Sequence, residues 1–246
     1  LAFSRRYQTS SQEDASGTVL HSHYYPAHQT MGEAVLAYAS RSFRLFSELF
    51  GPYPYGELDL AEVGIDALGI EYPGFIVLAE SLYANEDPST EFVVVHEMAH
   101  QWWYGLVGND QLDEPWLDEA LANYSTALYF EKVYGAEAGA RVVNGYRQRY
   151  EGLLKQGRDA PVAQPVTAFR EEDYGSVVYQ KGALFFHALR QEVGDDRFLA
   201  ILRQYQARYR YGIARGKEFL SLAEALSGRS LRPLAQEWLY SAKARP

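Results

Sequence analysis

The chain has 246 residues, of which 47% are hydrophobic and 22% charged, an ordinary composition for a globular protein with a buried core. Its formal net charge of -9 argues against nucleic-acid binding, which depends on lysine and arginine side chains neutralising phosphates. There are no cysteines, so disulfides and thiolate metal sites are excluded.

The chain begins at Leu1 rather than Met, and neither a signal-peptide pattern nor an apolar run of membrane-spanning length occurs in it. We therefore expect a fragment or processed product of a longer protein, and no membrane contact of this part. The sequence does not identify a compartment.

Extended chain is predicted for residues 1–28, because β-branched and aromatic residues of GTVLHSHYYPAH are bounded by Gly17 and Pro26. His21 and His23 alternate there and face the same way, with His28 close behind. A second metal site is conceivable, but no acidic residue or cysteine beside them completes it, so we interpret them as ordinary surface histidines.

A long amphipathic helix is predicted from about Glu33 to Phe50, where large apolar residues recur at three- or four-residue spacing before GPYP ends the pattern. ELDLAEV (57–63) and GFIVLA (74–79) are typical of strands.

The rest of the chain is predicted to be almost wholly helical, starting after Asp87-Pro88, a plausible N-cap and first helical residue. The predicted helices cover 88–104, 115–134, 136–156, 174–193, 195–209, 216–227 and 231–241. A Pro- and Gly-bearing loop at 157–175 interrupts them. A small sheet followed by a helical body indicates an α+β fold.

The stretch VHEMAH contains two histidines, His96 and His100, one helical turn apart, so both side chains point to one face of the predicted helix. Two imidazoles at this spacing can bind one Zn²⁺, and Glu97 would sit beside the metal without ligating it. The alternative is that both histidines merely cap or pack the helix. A third ligand must decide.

Four acidic residues downstream are candidates for that ligand: Asp113, Glu114, Asp118 and Glu119. A helical wheel does not choose among them. Glu119 lies nearly opposite the apolar stripe of its helix, beside Ala122 and Thr126, and this face can be either solvated or closely approached by a second helix.

The pattern HExxH, eighteen residues, then Glu within WLDEALANY resembles the zinc signature of the aminopeptidase N family of gluzincin metallopeptidases. The resemblance implies a thermolysin-like catalytic domain with one Zn²⁺ on His96, His100 and Glu119, and Glu97 as the catalytic carboxylate. Asp118 replaces the usual Asn, Ala120 the usual Gly, and Thr126 a common acidic residue. These departures concern the surroundings of the metal rather than its ligands.

A second matching segment is YGSVVYQKGALFF, which resembles the part of the family in which Tyr precedes x-Lys-Gly. The resemblance makes Tyr179 the donor to the oxyanion of the transition state. Tyr174 matches a second tyrosine found near the site in some members.

ALGIEYPGFIVL occupies the position of the family's GAMEN segment, with Leu68-Gly69-Ile70-Glu71-Tyr72 as its counterpart. Glu71 is the candidate for binding the protonated α-amine of a peptide, and the alternative is an exposed loop carboxylate. The backbone around Gly69 is expected to run along the substrate as an edge strand.

The resemblance spans most of the chain and implies that 1–26 are the tail of a preceding β-rich domain and 27–246 the catalytic domain. The expected function is hydrolysis of the N-terminal peptide bond of peptides, with flanking domains of a longer protein as partners. The alternatives are a zinc endopeptidase or other hydrolase that ignores the free α-amine, and a noncatalytic interaction domain with the same fold.

Overall fold

The chain folds into two compact units, Leu1–Gly105 and Leu106–Pro246. A computed structural model describes residues 4–84 and 89–243, so the predicted helix start at Asp87-Pro88 lies outside the described residues. The first unit contains a five-stranded mixed sheet and the second is mainly helical, which confirms the predicted α+β class.

The sheet of the first unit has the strand order β1-β2-β3-β5-β4. Its central pairs, β2 with β3 and β3 with β5, are parallel, whereas both outer pairs are antiparallel. The strands are β1 (Gln8–Glu13), β2 (Val19–Tyr24), β3 (Glu57–Val63), β4 (Gly69–Tyr72) and β5 (Phe75–Ala79). The segment Gly69–Tyr72 is thus an edge strand, as predicted.

Three α-helices accompany the sheet: α1 (Gln29–Phe50), α2 (Glu80–Ala84) and α3 (Thr90–Ala99). A 3₁₀ turn, Pro26–His28, leads from β2 into α1. The predicted helix from Glu33 therefore begins one turn earlier.

The two faces of the sheet have different surroundings. Ser22 donates its hydroxyl hydrogen to the carbonyl of Gly32 in α1 at 2.8 Å, and a Cβ on Gly32 would lie only 2.0 Å from the ring of Tyr24. Alternate residues of β2, including His21 and His23, point to the other face and are half-buried. One face is therefore packed closely against α1, while the opposite face is more open.

An aromatic cluster fills the interior between α1 and the segment after α3. Phe43, Phe46 and Phe50 pack around Trp102 with ring centroids 5.9–6.4 Å apart. Trp102 is fully buried, and its indole N–H donates to the carbonyl of Gly51 at 2.8 Å. Burying each such side chain stabilises the fold by about 1.5–3 kcal/mol.

Helix α3 ends at Ala99, five residues before the predicted end. His100 still has helical dihedral angles, φ -62° and ψ -17°, and the amide of Gly105 bonds to its carbonyl at 2.8 Å. Tyr104 has a φ of 115°, which a continuing helix does not permit. The histidine pair nevertheless keeps its spacing of one helical turn.

The second unit contains seven α-helices within the described residues: α4 (Trp116–Tyr134), α5 (Ala136–Lys155), α6 (Glu171–Tyr174), α7 (Gly182–Val193), α8 (Asp195–Tyr209), α9 (Gly216–Ser227) and α10 (Arg232–Ala235). Two π-helical segments follow α6 and α10, Gly175–Lys181 and Gln236–Tyr240, and a 3₁₀ turn, Val166–Ala168, lies in the predicted loop. Two-residue strands β6 (Val107–Gly108) and β7 (Gly212–Ile213) pair in parallel. No described helix has both the length and the apolar character needed to cross a membrane.

Helix α4 is buried on nearly all sides, so a solvated face around Glu119 is the wrong reading. Ala122 and Thr126 are fully buried, and Glu119 is half-buried. A Cβ on Gly182 of α7 would lie 2.5 Å from the Cβ of Ala120. The small residues Ala120 and Gly182 therefore allow α4 and α7 to pack closely.

The boundary at residue 26 between a preceding domain and the catalytic domain stays a prediction. Strands β1 and β2 before that point belong to the same sheet as β3, β4 and β5 after it.

Candidate metal centre

The imidazoles of His96 and His100 converge at the end of α3. Their Nε2 atoms are 3.1 Å apart and the ring planes are at 83°. His100 Nδ1 is 2.9 Å from the carbonyl oxygen of Trp103, which can only accept, so Nδ1 carries the hydrogen and the neutral ring presents its Nε2 lone pair. Two nitrogens bound tetrahedrally at about 2.0–2.1 Å from Zn²⁺ are about 3.3 Å apart, so this pair fits a metal ion.

Glu119 joins the two histidines in one potential ligand set. One ligand atom from each of the three residues lies within 4.8 Å of the others. Two imidazoles and one carboxylate are the donor set of several catalytic zinc sites. The structure thus favours Glu119 among the four acidic candidates.

The other three acidic candidates have other surroundings. Asp113 is exposed, and Glu114 accepts the amide hydrogen of Gly216 at 3.0 Å. Asp118 is buried, where it accepts hydrogen bonds from the side-chain amide of Gln111 and from the Glu119 backbone amide, both at 2.9 Å. Asp118 therefore helps to fix the start of α4 beside Glu119.

Glu97 is buried and lies against the edge strand β4. Ligand atoms of Glu71, Glu97 and His100 lie within 4.8 Å of one another. A Cβ on Gly69 would be 2.5 Å from Glu97 Oε1 and 2.7 Å from its carboxyl carbon, so only glycine lets β4 come this close. Gly69 and Glu71, both assigned to substrate binding from the sequence, thus lie beside the candidate catalytic carboxylate.

Gln101 is a positioning residue that the sequence reasoning missed. Its buried side chain accepts the amide hydrogen of Gly74 at 2.9 Å and donates to the carbonyl of Tyr72 at 3.1 Å. These bonds attach the turn between β4 and β5 to the end of α3. In the sequence, the indication of this role was a side-chain amide directly after His100 in the aromatic run HQWWYG.

Tyr179 lies in the π-helical segment between α6 and α7. Burial, followed by the neighbouring Glu119 carboxylate, raises the pKa of its phenol, which therefore stays protonated and able to donate. Tyr174 packs edge-to-face on Tyr179 with centroids 5.9 Å apart, and on Phe169 at 5.5 Å. The structure thus brings Tyr179 and Tyr174 together in the neighbourhood of Glu119.

Lys181, two residues after Tyr179, is fully buried and forms an ion pair with Asp159 at 2.9 Å. Its ammonium also donates to the carbonyls of Ala160 and Ser241, each at 2.8 Å. The three donors of the ammonium are therefore all used, and they anchor the π-helical segment that carries Tyr179.

The chain is similar to known proteins in sequence and in fold. Residues 34–238 match the model of the peptidase family M1 domain. Aminopeptidase M1-B of Oryza sativa subsp. japonica is 27% identical over 224 residues, and aminopeptidase N of Lactococcus lactis subsp. lactis is 24% identical over 173 residues. The crystal structure of a variant of an M1 zinc metallopeptidase from Deinococcus radiodurans superposes with a TM-score of 0.76 at 25% identity.

The chain is shorter than each of these proteins. The matches cover 84% and 67% of this chain but 25% of the rice protein and 20% of the bacterial aminopeptidase. The structural match covers 98% of this chain and 53% of the Deinococcus chain.

Proposed function

The chain belongs to peptidase family M1, and on that premise we propose that it is a zinc-dependent aminopeptidase acting on the N-terminal peptide bond of peptides. The observation that carries the proposal is the grouping of His96, His100 and Glu119 with ligand atoms within 4.8 Å, next to the buried carboxylate of Glu97.

His96, His100 and Glu119 would hold the cation through two imidazole nitrogens and one carboxylate oxygen. A bound Zn²⁺ supplies Lewis acidity, polarising the scissile carbonyl and lowering the pKa of a water molecule. The bond from His100 Nδ1 to Trp103 fixes the ring and its tautomer, as is usual for histidines that bind metals.

Glu97 takes the proton from the attacking water and later delivers it to the departing amine. Its contact with Gly69 and its burial hold the carboxylate in place for both transfers. Tyr179, protonated at neutral pH, donates a hydrogen bond to the oxygen that becomes negative.

Glu71 binds the protonated α-amine of the substrate. Its position near Glu97 and His100 on the edge strand supports this role, because a cationic amine held there leaves one residue between the amine and the hydrolysed bond. Because β4 is the outermost strand of the sheet within the described residues, it also suits pairing with an extended peptide.

The central test is hydrolysis of leucine or alanine anilides by Glu97→Gln. Removing the base lowers kcat by about 10²–10⁴-fold while bound zinc, measured by elemental analysis, stays unchanged. Glu91→Gln, on the same helix but paired with Arg41 at 3.5 Å, is the matched control and retains activity. Wild-type turnover by Glu97→Gln would exclude Glu97 as the base.

The strongest alternative is a zinc endopeptidase, which does not require a free α-amine. We expect free peptides to be cleaved faster than their N-acetylated forms, and Glu71→Gln to raise KM for free peptides and to reduce this preference. Equal rates on both substrates in the wild type would remove the proposed role of Glu71.

A noncatalytic interaction domain is the second alternative. It predicts no turnover even when elemental analysis finds zinc. The assay is therefore carried out on this chain and on the longer protein of which we propose it is a part, because flanking domains can help to enclose the substrate.

A further inference from the structure

The open face of the sheet carries two rows of polar side chains that cross three strands. In each row a hydroxyl on β1, an imidazole on β2 and a carboxylate on β3 follow one another. In the first row the Ser11 hydroxyl oxygen lies 2.7 Å from His21 Nδ1, and His21 Nε2 lies 3.1 Å from Glu57 Oε1.

In the second row the Thr9 hydroxyl oxygen lies 2.9 Å from His23 Nδ1, and His23 Nε2 lies 2.7 Å from Asp59 Oδ1. Acidic partners for these histidines come from the neighbouring parallel strand, so the expectation that no acidic residue completes the set is wrong.

Strand register explains why the rows form. His21 pairs with Asp59 across β2 and β3, and Ser11 pairs with His21 across β1 and β2. Glu57 and Asp59 are two residues apart on β3 and therefore share a face. Ligand atoms of His21, Glu57 and Asp59 all lie within 4.8 Å of one another.

Two carboxylates at this separation repel each other. A divalent cation would offset both charges at once. Glu57 is 68% exposed and can adjust its rotamer, whereas His21 is 20% and Asp59 29% exposed, so two of the three ligands are already held in place.

We propose that His21, Glu57 and Asp59 form a second binding site for Zn²⁺ or a similar late first-row divalent cation. One imidazole with two carboxylates suits these metals better than Mg²⁺ or Ca²⁺, which prefer oxygen alone. The site shares no residue with the metal centre described above, and it lies on the sheet face opposite to the one that contacts α1.

The hydroxyl of Ser11 would hold the His21 ring in place by bonding to Nδ1, the ring nitrogen that does not bind the metal. A carboxylate can only accept, so without metal the Nε2–H of His21 donates to Glu57, while the Ser11 hydroxyl lies at Nδ1 of the same ring. When a cation takes the Nε2 lone pair, the ring carries its hydrogen on Nδ1 and the Ser11 hydroxyl becomes the acceptor. His23 orients Asp59 in a similar supporting role.

The experiment is a calorimetric Zn²⁺ titration of the protein with its first zinc already bound and excess metal removed. We expect one additional equivalent per chain. Asp59→Asn and Glu57→Gln each weaken this additional equivalent at least tenfold, while the first equivalent and any anilide hydrolysis stay unchanged. Ser11→Ala weakens it by about tenfold, the effect typical of a lost outer partner.

His187→Gln is the matched histidine control. His187 lies in the second unit beside Tyr124, so we expect this variant to bind the additional zinc equivalent as the wild type does. Circular dichroism checks that each variant folds. Because the side chain of Glu57 is exposed, we expect Glu57→Gln to fold even if Asp59→Asn does not. The proposal is overturned if no additional equivalent binds, or if the equivalent binds with unchanged affinity in both Asp59→Asn and Glu57→Gln. Anomalous scattering at the zinc edge then gives the position of any bound ion independently.

Discussion

The absence of a side chain at Gly69 determines how close the edge strand lies to Glu97. Larger residues would displace the buried carboxylate on whose position the proposed proton transfer depends, because a Cβ there would be 2.5 Å from Glu97 Oε1. A single methyl group at this position is therefore expected to affect catalysis more than stability.

Gly69→Ala should lower kcat by about 10²-fold, since a shift near 1 Å of a catalytic group costs that much. Anilide hydrolysis measures the change, and zinc content should stay at the wild-type level. Gly56→Ala is the control, because a Cβ at Gly56 has no neighbour within 4 Å. Full activity of Gly69→Ala would show that Glu97 tolerates displacement.

Residue spacing was sufficient to predict that the side chains of His96 and His100 lie together, because the two residues are one helical turn apart. Glu119 could be selected only by resemblance, since a helical wheel does not show what packs on each face. Gln101 and the partners of His21 and His23 were missed, because Asp59 is 36 residues from His23 in the sequence and strand register alone brings them together.

At the level of elements, the helix from Glu171 to Val193 contains a π-helical segment whose position is fixed by a buried ion pair. Such segments are frequent at functional sites, and this one carries Tyr179. Asp159 receives hydrogen bonds from the Tyr150 hydroxyl and from the amide of Ala160 besides the Lys181 ammonium. Removing the lysine would leave this carboxylate buried without its counter-charge.

Lys181→Met is therefore expected to lower the free energy of unfolding by about 3–5 kcal/mol, the usual effect of breaking a buried pair. Urea denaturation measures it. Lys155→Met, at an exposed lysine on α5, is the matched control and should be nearly neutral.

The double variant Lys181→Met with Asp159→Asn should recover part of the loss, because a neutral amide needs no counter-charge. Strictly additive effects of the two substitutions would contradict an energetic coupling between the two side chains.

Long periodic helices and the strands Glu57–Val63 and Phe75–Ala79 were predictable, since apolar spacing reports which side is buried. The environment of α4 could not be predicted, because a helix packed against α5, α7 and the π-helical segment buries polar and small residues on nearly all sides. The paired strands β6 and β7 contain two residues each, too few for any alternation to show.

For the whole molecule, buried tyrosines make stability depend on alkaline pH. Burial is the largest cause that raises the pKa of Tyr7 and of Tyr124 from 10.0 to about 12. Burial also raises the pKa of Tyr53, Tyr83, Tyr146, Tyr150 and Tyr205. Below the unfolded value of 10.0 these phenols are protonated in both states and their contribution is fully present.

Above that pH only the unfolded chain loses these protons, so the free energy of unfolding falls as pH rises from 10.0 through about 12. Urea denaturation at about pH 9 and about pH 11 measures the fall. Tyr124→Phe should make this decrease in the free energy of unfolding smaller. A phenolate absorbance titration in which all tyrosines of the folded protein ionise near their free value would contradict the prediction.

The carbonyl that orients His100 belongs to Trp103, and the adjacent Trp102 is fixed by its bond to Gly51. Both indoles are almost completely buried. Any shift of the imidazole when a cation arrives or leaves is therefore transmitted over three residues to two shielded fluorophores. Their intrinsic emission offers an optical readout of metal occupancy in which no dye has to be attached.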